Sequence, residues 1–369
     1  MRKVLLLLFI VKSAILANIF AGSATTKSME IKGDFAKTKQ CIRCHLDIYE
    51  EYKNSPHFNS TTKNDSIHKA VWEAYKSAKN AKKYVCGKCH TPTVKDLKLI
   101  NSQKYEEEYN EAIACAYCHR IEAIKEHPKA NENIILDKKG VYYGTRNPQI
   151  RSEYHKIIKT NLIHKNGDTC MGCHSHKQNG NGFVVCKTDS NNTLEQNCIT
   201  CHMPQVEGSL SDRVNTPTHA FHGFAGVKNN PKMLAKYVDL KVIPKNGYFL
   251  VEIFNHAPHD LLLHPMRAAK LIVEIYKGEK LIKRVEQMFE RVIGKDGKPT
   301  PPWVADSVIK DSMIKAKEKR VVKIDEDIKG KRVVAKIGFY KVKPALAKKF
   351  NLEEFVKFNI LKEAEFKRD

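Results

Sequence analysis

Cysteine is missing from the whole C-terminal part of this 369-residue chain. All eleven cysteines lie between Cys41 and Cys201. Whatever chemistry depends on thiols is therefore confined to the first two thirds of the sequence. This uneven distribution predicts a change of architecture near residue 235.

The sequence also lacks an uninterrupted apolar run of the roughly 20 residues that a membrane-spanning helix needs. Arg2 and Lys3 precede an apolar run over 4–11, Lys12 interrupts it, and a second run ends in small residues at 21–24. This order is typical of an export signal, so we expect residues 1–24 to be a cleaved signal peptide. An uncleaved N-terminal anchor is the alternative, because Lys12 departs from the usual pattern.

Ten of the eleven cysteines belong to five copies of the pattern Cys-x-x-Cys-His. Two thiols on one helical turn can each bond a haem vinyl group, while the adjacent imidazole binds the iron from one side. Pairs of Cys-x-x-Cys also bind zinc, but a site of four cysteines needs no histidine after each pair. The pattern therefore predicts five covalently bound haem c groups. The attachment cysteines are Cys41, Cys44, Cys86, Cys89, Cys115, Cys118, Cys170, Cys173, Cys198 and Cys201, and the proximal iron ligands are His45, His90, His119, His174 and His202.

The last four motifs fall into two similarly spaced pairs, which indicates an internal repeat of a two-haem unit after one isolated site. Cys86 and Cys115 are 29 positions apart, and Cys170 and Cys198 are 28 apart. So many haems leave little polypeptide for each, so the porphyrins must form most of the core. We expect helices over 47–55 and 67–84, and a haem domain that is otherwise irregular.

Eleven histidines lie outside the motifs and are candidates for the sixth position on each iron. Methionine is the competing ligand, but only Met171, Met203 and Met233 lie in or just after the haem region. The composition therefore favours two histidines on each iron. Such ligation also predicts low reduction potentials, because an axial methionine raises them.

Four segments resemble multihaem c-type cytochromes related to the tetrahaem electron acceptor of hydroxylamine oxidation and to the pentahaem nitrite reductases. The segments are Ser55-Pro56-His57, Ser152-Glu153-Tyr154-His155, the CITCHMP sequence at 198–204 and the HAFHG sequence at 219–223. By this resemblance His57, His155 and His219 are distal iron ligands. No motif here ends in lysine as the catalytic motif of those reductases does, which disfavours nitrite reduction of that type.

Four further histidines, His127, His222, His259 and His264, are candidates for the remaining irons. For each, an exposed or hydrogen-bonded histidine without a metal is an equally good interpretation. We carry His127 and His259 forward as predicted metal ligands together with the three assigned by resemblance.

Cys186 is the only cysteine outside the motifs. Its apolar neighbours favour a buried thiol that behaves as a small hydrophobic side chain. An intermolecular disulfide, or a thiol near a haem that acts on a sulfur compound, are the alternatives.

The C-terminal third has the alternating apolar pattern of β-strands. We expect strands over 237–243, 248–254, 271–276, 281–292, 320–324 and 332–342, with turns at Lys245-Asn246-Gly247, Lys277-Gly278-Glu279 and Asp296-Gly297. Their number and spacing predict a β-sandwich. The loop at 255–265 resembles the histidine-bearing loop of an immunoglobulin-like domain in multihaem cytochromes, which implies that His259 or His264 reaches a haem. A capping pattern at 351–354 and apolar residues three apart predict a closing helix within 346–369.

Together these features predict an α+β multidomain protein. A haem-packed, mostly helical and irregular cytochrome domain over 25–235 is followed by a β-sandwich over 236–345 and the C-terminal helix. Haem attachment and export predict a periplasmic location.

The function that these features favour is electron relay between redox partner proteins in anaerobic or respiratory metabolism. A multihaem oxidoreductase with one open haem that acts on a small nitrogen or sulfur compound is the alternative. A docking subunit of a larger membrane complex, with a membrane quinol oxidase as its partner, is a third interpretation.

Acidic residues are scarce relative to basic ones, which gives a formal charge of +23. Ionised haem propionates would lower this by roughly ten charges, and the surface would still be basic. A basic surface favours acidic redox partners or association with anionic lipid head groups, although solvated lysine faces explain the charge equally well. Export and haem make a nucleic-acid partner improbable.

Overall fold

The computed structural model describes residues 35–94, 111–144, 150–188 and 192–367. The export signal predicted over 1–24 lies outside these residues. In the described ranges, no helix is both long and apolar enough to cross a membrane. Short helices and small sheets extend to Tyr237, and larger antiparallel sheets follow from Val238.

Helices in the first part are mostly single turns, and each of the five motifs overlaps one. The longest helix follows Asp65, whose side chain accepts the backbone N–H of His68, and it ends at Asn80 in the left-handed conformation. The helices are α1 (Thr38–Cys41), α2 (Leu46–Tyr52), α3 (Ser66–Lys79), α4 (Gly87–His90), α5 (Cys115–Cys118), α6 (Ile163–Asn166), α7 (Met171–His174) and α8 (Cys198–His202), with 3-10 turns at Asp168–Cys170 and Pro231–Tyr237.

Strands in the same part correct the prediction of a mostly helical haem domain. Within the described residues they form four two-stranded sheets, three antiparallel and one parallel. The strands are β1 (Ile121–Lys125), β2 (Glu132–Ile135), β3 (Val141–Tyr143), β4 (Lys156–Ile158), β5 (His176–Gln178), β6 (Val184–Lys187), β7 (Gln205–Glu207) and β8 (Thr218–Ala220). In the segments that follow the third, fourth and fifth motifs, backbone polar groups pair with one another in these small sheets.

The C-terminal part contains three antiparallel sheets in the described residues. Their strand orders are β16-β10-β9, β12-β11-β17-β18 and β14-β13-β15. The strands are β9 (Val238–Pro244), β10 (Phe249–Asn255), β11 (Ala268–Lys277), β12 (Lys280–Phe289), β13 (Arg291–Lys295), β14 (Lys298–Pro299), β15 (Ser307–Asp311), β16 (Lys319–Ile324), β17 (Arg332–Tyr340) and β18 (Phe358–Lys367). Three predicted turns join consecutive strands, and their glycines, Gly247, Gly278 and Gly297, have positive φ.

One hydrophobic core is shared by the first two of these sheets. Alternate residues of β10, Phe249, Val251 and Ile253, are fully buried in it, and so are Val333 and Ile337 of β17. This period-two burial is the pattern on which the strand predictions depended. The immunoglobulin-like sandwich itself stays a prediction.

The closing helix predicted within 346–369 is wrong in its position and extent. A helix α9 (Pro344–Phe350) and a 3-10 turn at Glu353–Phe355 are followed by strand β18, which pairs antiparallel with β17. The pairing shifts by one residue between Ile337 and Gly338, so Leu361 and Ala364 both pack on the core. This β-bulge creates an apolar spacing of three that imitates a helical period.

Candidate haem-binding site

Each Cys-x-x-Cys-His motif lies on one turn of helix, which places the histidine one turn beyond the first cysteine. The backbone N–H of His45 donates to the carbonyl of Cys41 at 3.0 Å, and that of His119 donates to Cys115 at 3.1 Å. In the last motif, the side chain of Asn197 caps the turn by accepting from the N–H groups of Ile199 and Thr200. None of the eleven cysteines, all of which lie in the described residues, forms a disulfide bond, so the two cysteines of each motif suit thioether bonds.

Four motif histidines face a second imidazole across a gap of nearly constant width. Metal–imidazole bonds are about 2 Å long and the ring centre lies about 1 Å behind the bonding nitrogen, so two axial imidazoles on one iron have centres about 6 Å apart. The ring centres are 6.3 Å apart for His45 and His155, 6.1 Å for His174 and His57, 6.2 Å for His119 and His222, and 6.2 Å for His202 and His259. The residues present therefore fit a haem iron at each of these four positions.

Hydrogen bonds on the far nitrogen orient most of these rings. When Nδ1–H donates to a backbone carbonyl, Nε2 is left free to bind a metal. Six histidines have Nδ1 against a carbonyl oxygen at 2.6–2.9 Å: His45, His90, His119, His202, His222 and His259. For His57 and His155 the Nδ1 atom is buried without a hydrogen-bond partner.

Five other histidines form a hydrogen bond through Nε2, and this contact distinguishes them from the histidines that face a motif histidine. Nε2 contacts the Tyr84 hydroxyl in His68, a backbone carbonyl in His164 and His176, and a carboxylate in His219 and His256. A ring whose Nε2 is hydrogen-bonded in this way has no free nitrogen directed at a metal. None of these five residues faces a motif histidine across a 6 Å gap.

Burial keeps the iron-facing rings neutral, which is the form that binds a metal. It lowers the pKa of His57, His90 and His222 to about 3 and the pKa of His174 to about 4. Burial also lowers the pKa of His119, His155 and His202.

His90 is the exception among the motif histidines. No other ring faces it across a 6 Å gap in the described residues, which include all sixteen histidines. The ring of His68 lies beside it with centres 3.9 Å apart, which is too close for an iron between them.

His264 is buried near His90 but has the reverse orientation. Its Nδ1 accepts the backbone N–H of Met266 at 3.2 Å, so the neutral ring carries its proton on Nε2. Burial, with Arg267 and Lys228 nearby, lowers the pKa of His264 to about 3. A neutral ring with a protonated Nε2 is a hydrogen-bond donor, not a metal ligand.

The predicted distal ligands divide into two groups. His57, His155 and His259 each face a motif histidine, as expected for ligands. His219 does not, because its Nε2 contacts the Glu51 carboxylate at 3.1 Å and its Nδ1 contacts the Gly208 carbonyl at 3.0 Å.

His222 lies three residues after His219 in the same HAFHG segment and faces His119 of the third motif. The sequence offered it as a weaker candidate than His219. His127 does not face a motif histidine: it is exposed, and its Nδ1 accepts from the backbone N–H of Lys129.

His259 comes from the C-terminal part and faces His202 of the last motif. Its backbone carbonyl accepts from the side chain of buried Asn255, which also donates to the carbonyl of Lys315. A largely apolar cleft holds Cys198, Cys201, His202 and His259 together. The β-rich part thus completes a site whose other half lies in the motif region.

Cysteine side chains of different motifs lie close together. Cys41 lies near Cys115, Cys89 near Cys173, and Cys170 near Cys198. The contacts therefore join motif one to three, two to four, and four to five. The contact between motifs four and five agrees with their spacing in the sequence, whereas the thiols of motifs two and three pair with those of motifs four and one.

Cys186 lies on β6 opposite Lys177 of β5. Burial raises the pKa of its thiol, although Lys177, Arg291 and Arg267 act in the other direction. A raised pKa leaves little reactive thiolate, which agrees with the interpretation of Cys186 as a packed side chain.

Comparison with known proteins places these features in context. The sequence profile of the family cytochrome c554 and c-prime matches residues 40–120, which contain the first three motifs. Among solved structures, the chain is similar to the penta-haem cytochrome c552 from Thermochromatium tepidum, with a TM-score of 0.68 and 20% identity over 89% of this chain and 98% of that chain. This likeness concerns the fold. Among curated proteins, none matches the chain.

Proposed function

We propose that this chain is a multihaem c-type cytochrome, a periplasmic pentahaem protein that relays electrons between redox partners in anaerobic or respiratory metabolism. The observation that carries the proposal is the set of four imidazole pairs with ring centres 6.1–6.3 Å apart, each beside a Cys-x-x-Cys-His motif. An iron with imidazoles on both sides has no free position for a substrate. It can therefore exchange electrons but cannot bind a reactant.

The haems would be held by the ten motif cysteines and the five motif histidines. When bound, each haem supplies one-electron chemistry by alternating between Fe(III) and Fe(II). The second imidazole at four sites would come from His57, His155, His222 and His259. Two imidazoles favour low reduction potentials, which suits a donor or acceptor of anaerobic or respiratory metabolism.

Contacts between motif thiols support a continuous relay. The three thiol pairs form two groups, motifs one and three in one group and motifs two, four and five in the other. The third and fourth motifs join these groups. Cys118 of the third motif lies near Cys170 and Cys173 of the fourth. Attachment points in contact bring neighbouring cofactors close together, which is the condition for transfer from one to the next.

The haem count is tested by intact mass and pyridine haemochrome analysis of the full chain expressed with haem attachment and export. We expect five covalent haems and a protein recovered from the periplasmic fraction with residues 1–24 removed. Fewer than five haems, or haem that is extracted by acidified acetone, would contradict the proposal. Expression without the attachment machinery is the control.

A redox partner with an acidic docking surface is the partner class that the charge of +23 supports. Electron exchange with such a partner should slow as ionic strength rises, because salt screens the attraction. Co-purification with a membrane quinol oxidase would favour the docking-subunit interpretation. An exchange rate that is independent of salt would exclude a charge-steered partner.

A second candidate function rests on the site of His90. Its ring has no opposed imidazole among the described residues, and His264 nearby presents a protonated Nε2. The iron at this motif would then keep one position open to a small nitrogen or sulfur compound, with His264 and Arg267 beside it.

Electron paramagnetic resonance of the oxidised protein separates the two functions. A high-spin signal that shifts on addition of nitrite, hydroxylamine or sulfite would favour the oxidoreductase. Five low-spin signals that are unchanged by all three compounds would favour pure relay.

A further inference from the structure

Glu51 is a largely buried carboxylate that bridges two residues of the segment bearing His222. It lies on α2, the helix that begins directly after His45. One oxygen, Oε2, accepts the backbone N–H of His222 at 2.7 Å, and Oε1 contacts Nε2 of His219 at 3.1 Å. The side chains of Glu51 and His219 are 19% and 4% exposed, so water competes little for these hydrogen bonds.

Together these contacts fix the backbone and the ring of His222. Its Nδ1–H donates to the carbonyl of Ala220 at 2.6 Å, which turns the ring toward His119. At the other end of the turn, Nδ1 of His219 contacts the carbonyl of Gly208. Glu51 is the acceptor shared by both ends of this four-residue segment.

We infer that Glu51 is a positioning residue for His222. Its carboxylate holds the imidazole opposite His119, and its negative charge stabilises the oxidised iron at the third motif. A residue of α2, the helix that follows the first motif, thereby positions the second imidazole at the third motif. The inference rests on the proposed function, because it requires a haem at the third motif with His222 as its second ligand.

The chain offers variants that separate the carboxylate's charge from its hydrogen bonds. Glu51→Gln keeps an oxygen that can accept the N–H of His222 but removes the charge. Glu51→Ala removes both. Glu50→Gln is the matched control, because it removes the same charge from the adjacent residue of the same helix, where the side chain is 51% exposed and paired with Lys53.

Spectroscopy and redox titration of the full, haem-loaded chain provide the readouts. We expect Glu51→Gln to keep every low-spin haem but to move one reduction midpoint to a higher potential. We expect Glu51→Ala to convert part of one haem to high spin as well. The Glu50→Gln variant should match the wild type in both measurements.

A double variant tests whether the affected haem is the one that His222 ligates. If so, Glu51→Ala combined with His222→Ala should show the same number of high-spin haems as His222→Ala alone. One additional high-spin haem in the double variant would place the effect at another site and overturn the inference.

The inference also fails if both Glu51 variants match Glu50→Gln in spin state and in every midpoint. If Glu51→Ala does not fold, the reduction midpoints of Glu51→Gln alone test the inference. A failure of the proposed function looks different: the wild type would lack covalent haem, or His222→Ala would keep all its low-spin signals.

Discussion

At the scale of single residues, the histidines that face a motif histidine differ from the others in which ring nitrogen forms a hydrogen bond. His219 and His222 are three positions apart in one short segment, and both are buried rings with hydrogen bonds to backbone carbonyls. Only His222 keeps Nε2 free, because Glu51 occupies that atom in His219. A motif comparison cannot make this distinction, since it depends on a carboxylate from a distant helix.

His222→Ala should therefore convert one low-spin haem to high spin, because the iron at the third motif would lose one of its two imidazoles. Electron paramagnetic resonance of the oxidised protein measures this directly. The control is His127→Ala, which removes an exposed histidine and should leave every signal unchanged. Loss of a low-spin haem in the control, or none in His222→Ala, would contradict the assignment.

At the scale of elements, most strands of the C-terminal part were predictable, whereas β14, β15 and the final strand β18 were not. Strand β10 alternates buried and less buried residues, so its period of two is visible in the sequence. The bulge opposite Gly338 breaks that period in β18 and leaves apolar residues three apart. The local pattern of β18 therefore favours a helix, whereas its hydrogen bonds to β17 make it a strand.

Gly338→Ala should destabilise this sheet. An added Cβ would lie 2.3 Å from the backbone oxygen of Asn359 in β18, and backbone cannot move aside as a flexible side chain can. We expect a loss of about 1–3 kcal/mol of unfolding free energy, measured by urea denaturation with far-ultraviolet circular dichroism. Gly180→Ala is the control, because nothing lies within 4 Å of its added Cβ. Equal stability of the two variants would rule out the close contact.

At the scale of the whole molecule, the two parts of the chain share one site. His259 faces His202 of the last motif, although it lies beyond the first strands of the β-rich part. In the motif region, thiol contacts join motifs that are far apart in sequence, such as the first and the third. The spatial arrangement of the motifs therefore follows tertiary packing and not their order along the chain.

Acid should weaken the whole assembly, because its buried histidines are neutral. Their pKa values fall from 6.5 in the unfolded chain to about 3 for His57 and His222 and to about 4 for His174. The unfolded chain therefore binds more protons than the folded protein below pH 6.5, so stability falls as the pH falls from there toward 3.

We expect the free energy of unfolding in urea to be largest near pH 7 and to decrease as the pH falls from 6.5 toward 3. Urea denaturation followed by far-ultraviolet circular dichroism at each pH measures this change, and remeasurement after return to neutral pH is the control. An unfolding free energy that is the same at pH 4 and pH 7 would contradict the neutral, buried state of these rings.

The sequence by itself determined the chemistry of attachment. Five Cys-x-x-Cys-His motifs identify the thioether and proximal positions, because these groups must lie within one helical turn, where spacing along the chain fixes spacing in space. For the same local reason, the alternating strands and the turns at Gly247, Gly278 and Gly297 were predictable.

Only the tertiary structure decided which histidine faces each motif, which motifs touch, and where the last strand lies. The two imidazoles of a site are separated by as many as 117 positions, as His57 and His174 are, so no local spacing relates them. Their pairing is set by packing and by hydrogen bonds from distant residues such as Glu51. Covalent attachment is predicted from local spacing in this chain, whereas the pairing of a motif histidine with a second imidazole is a property of its fold.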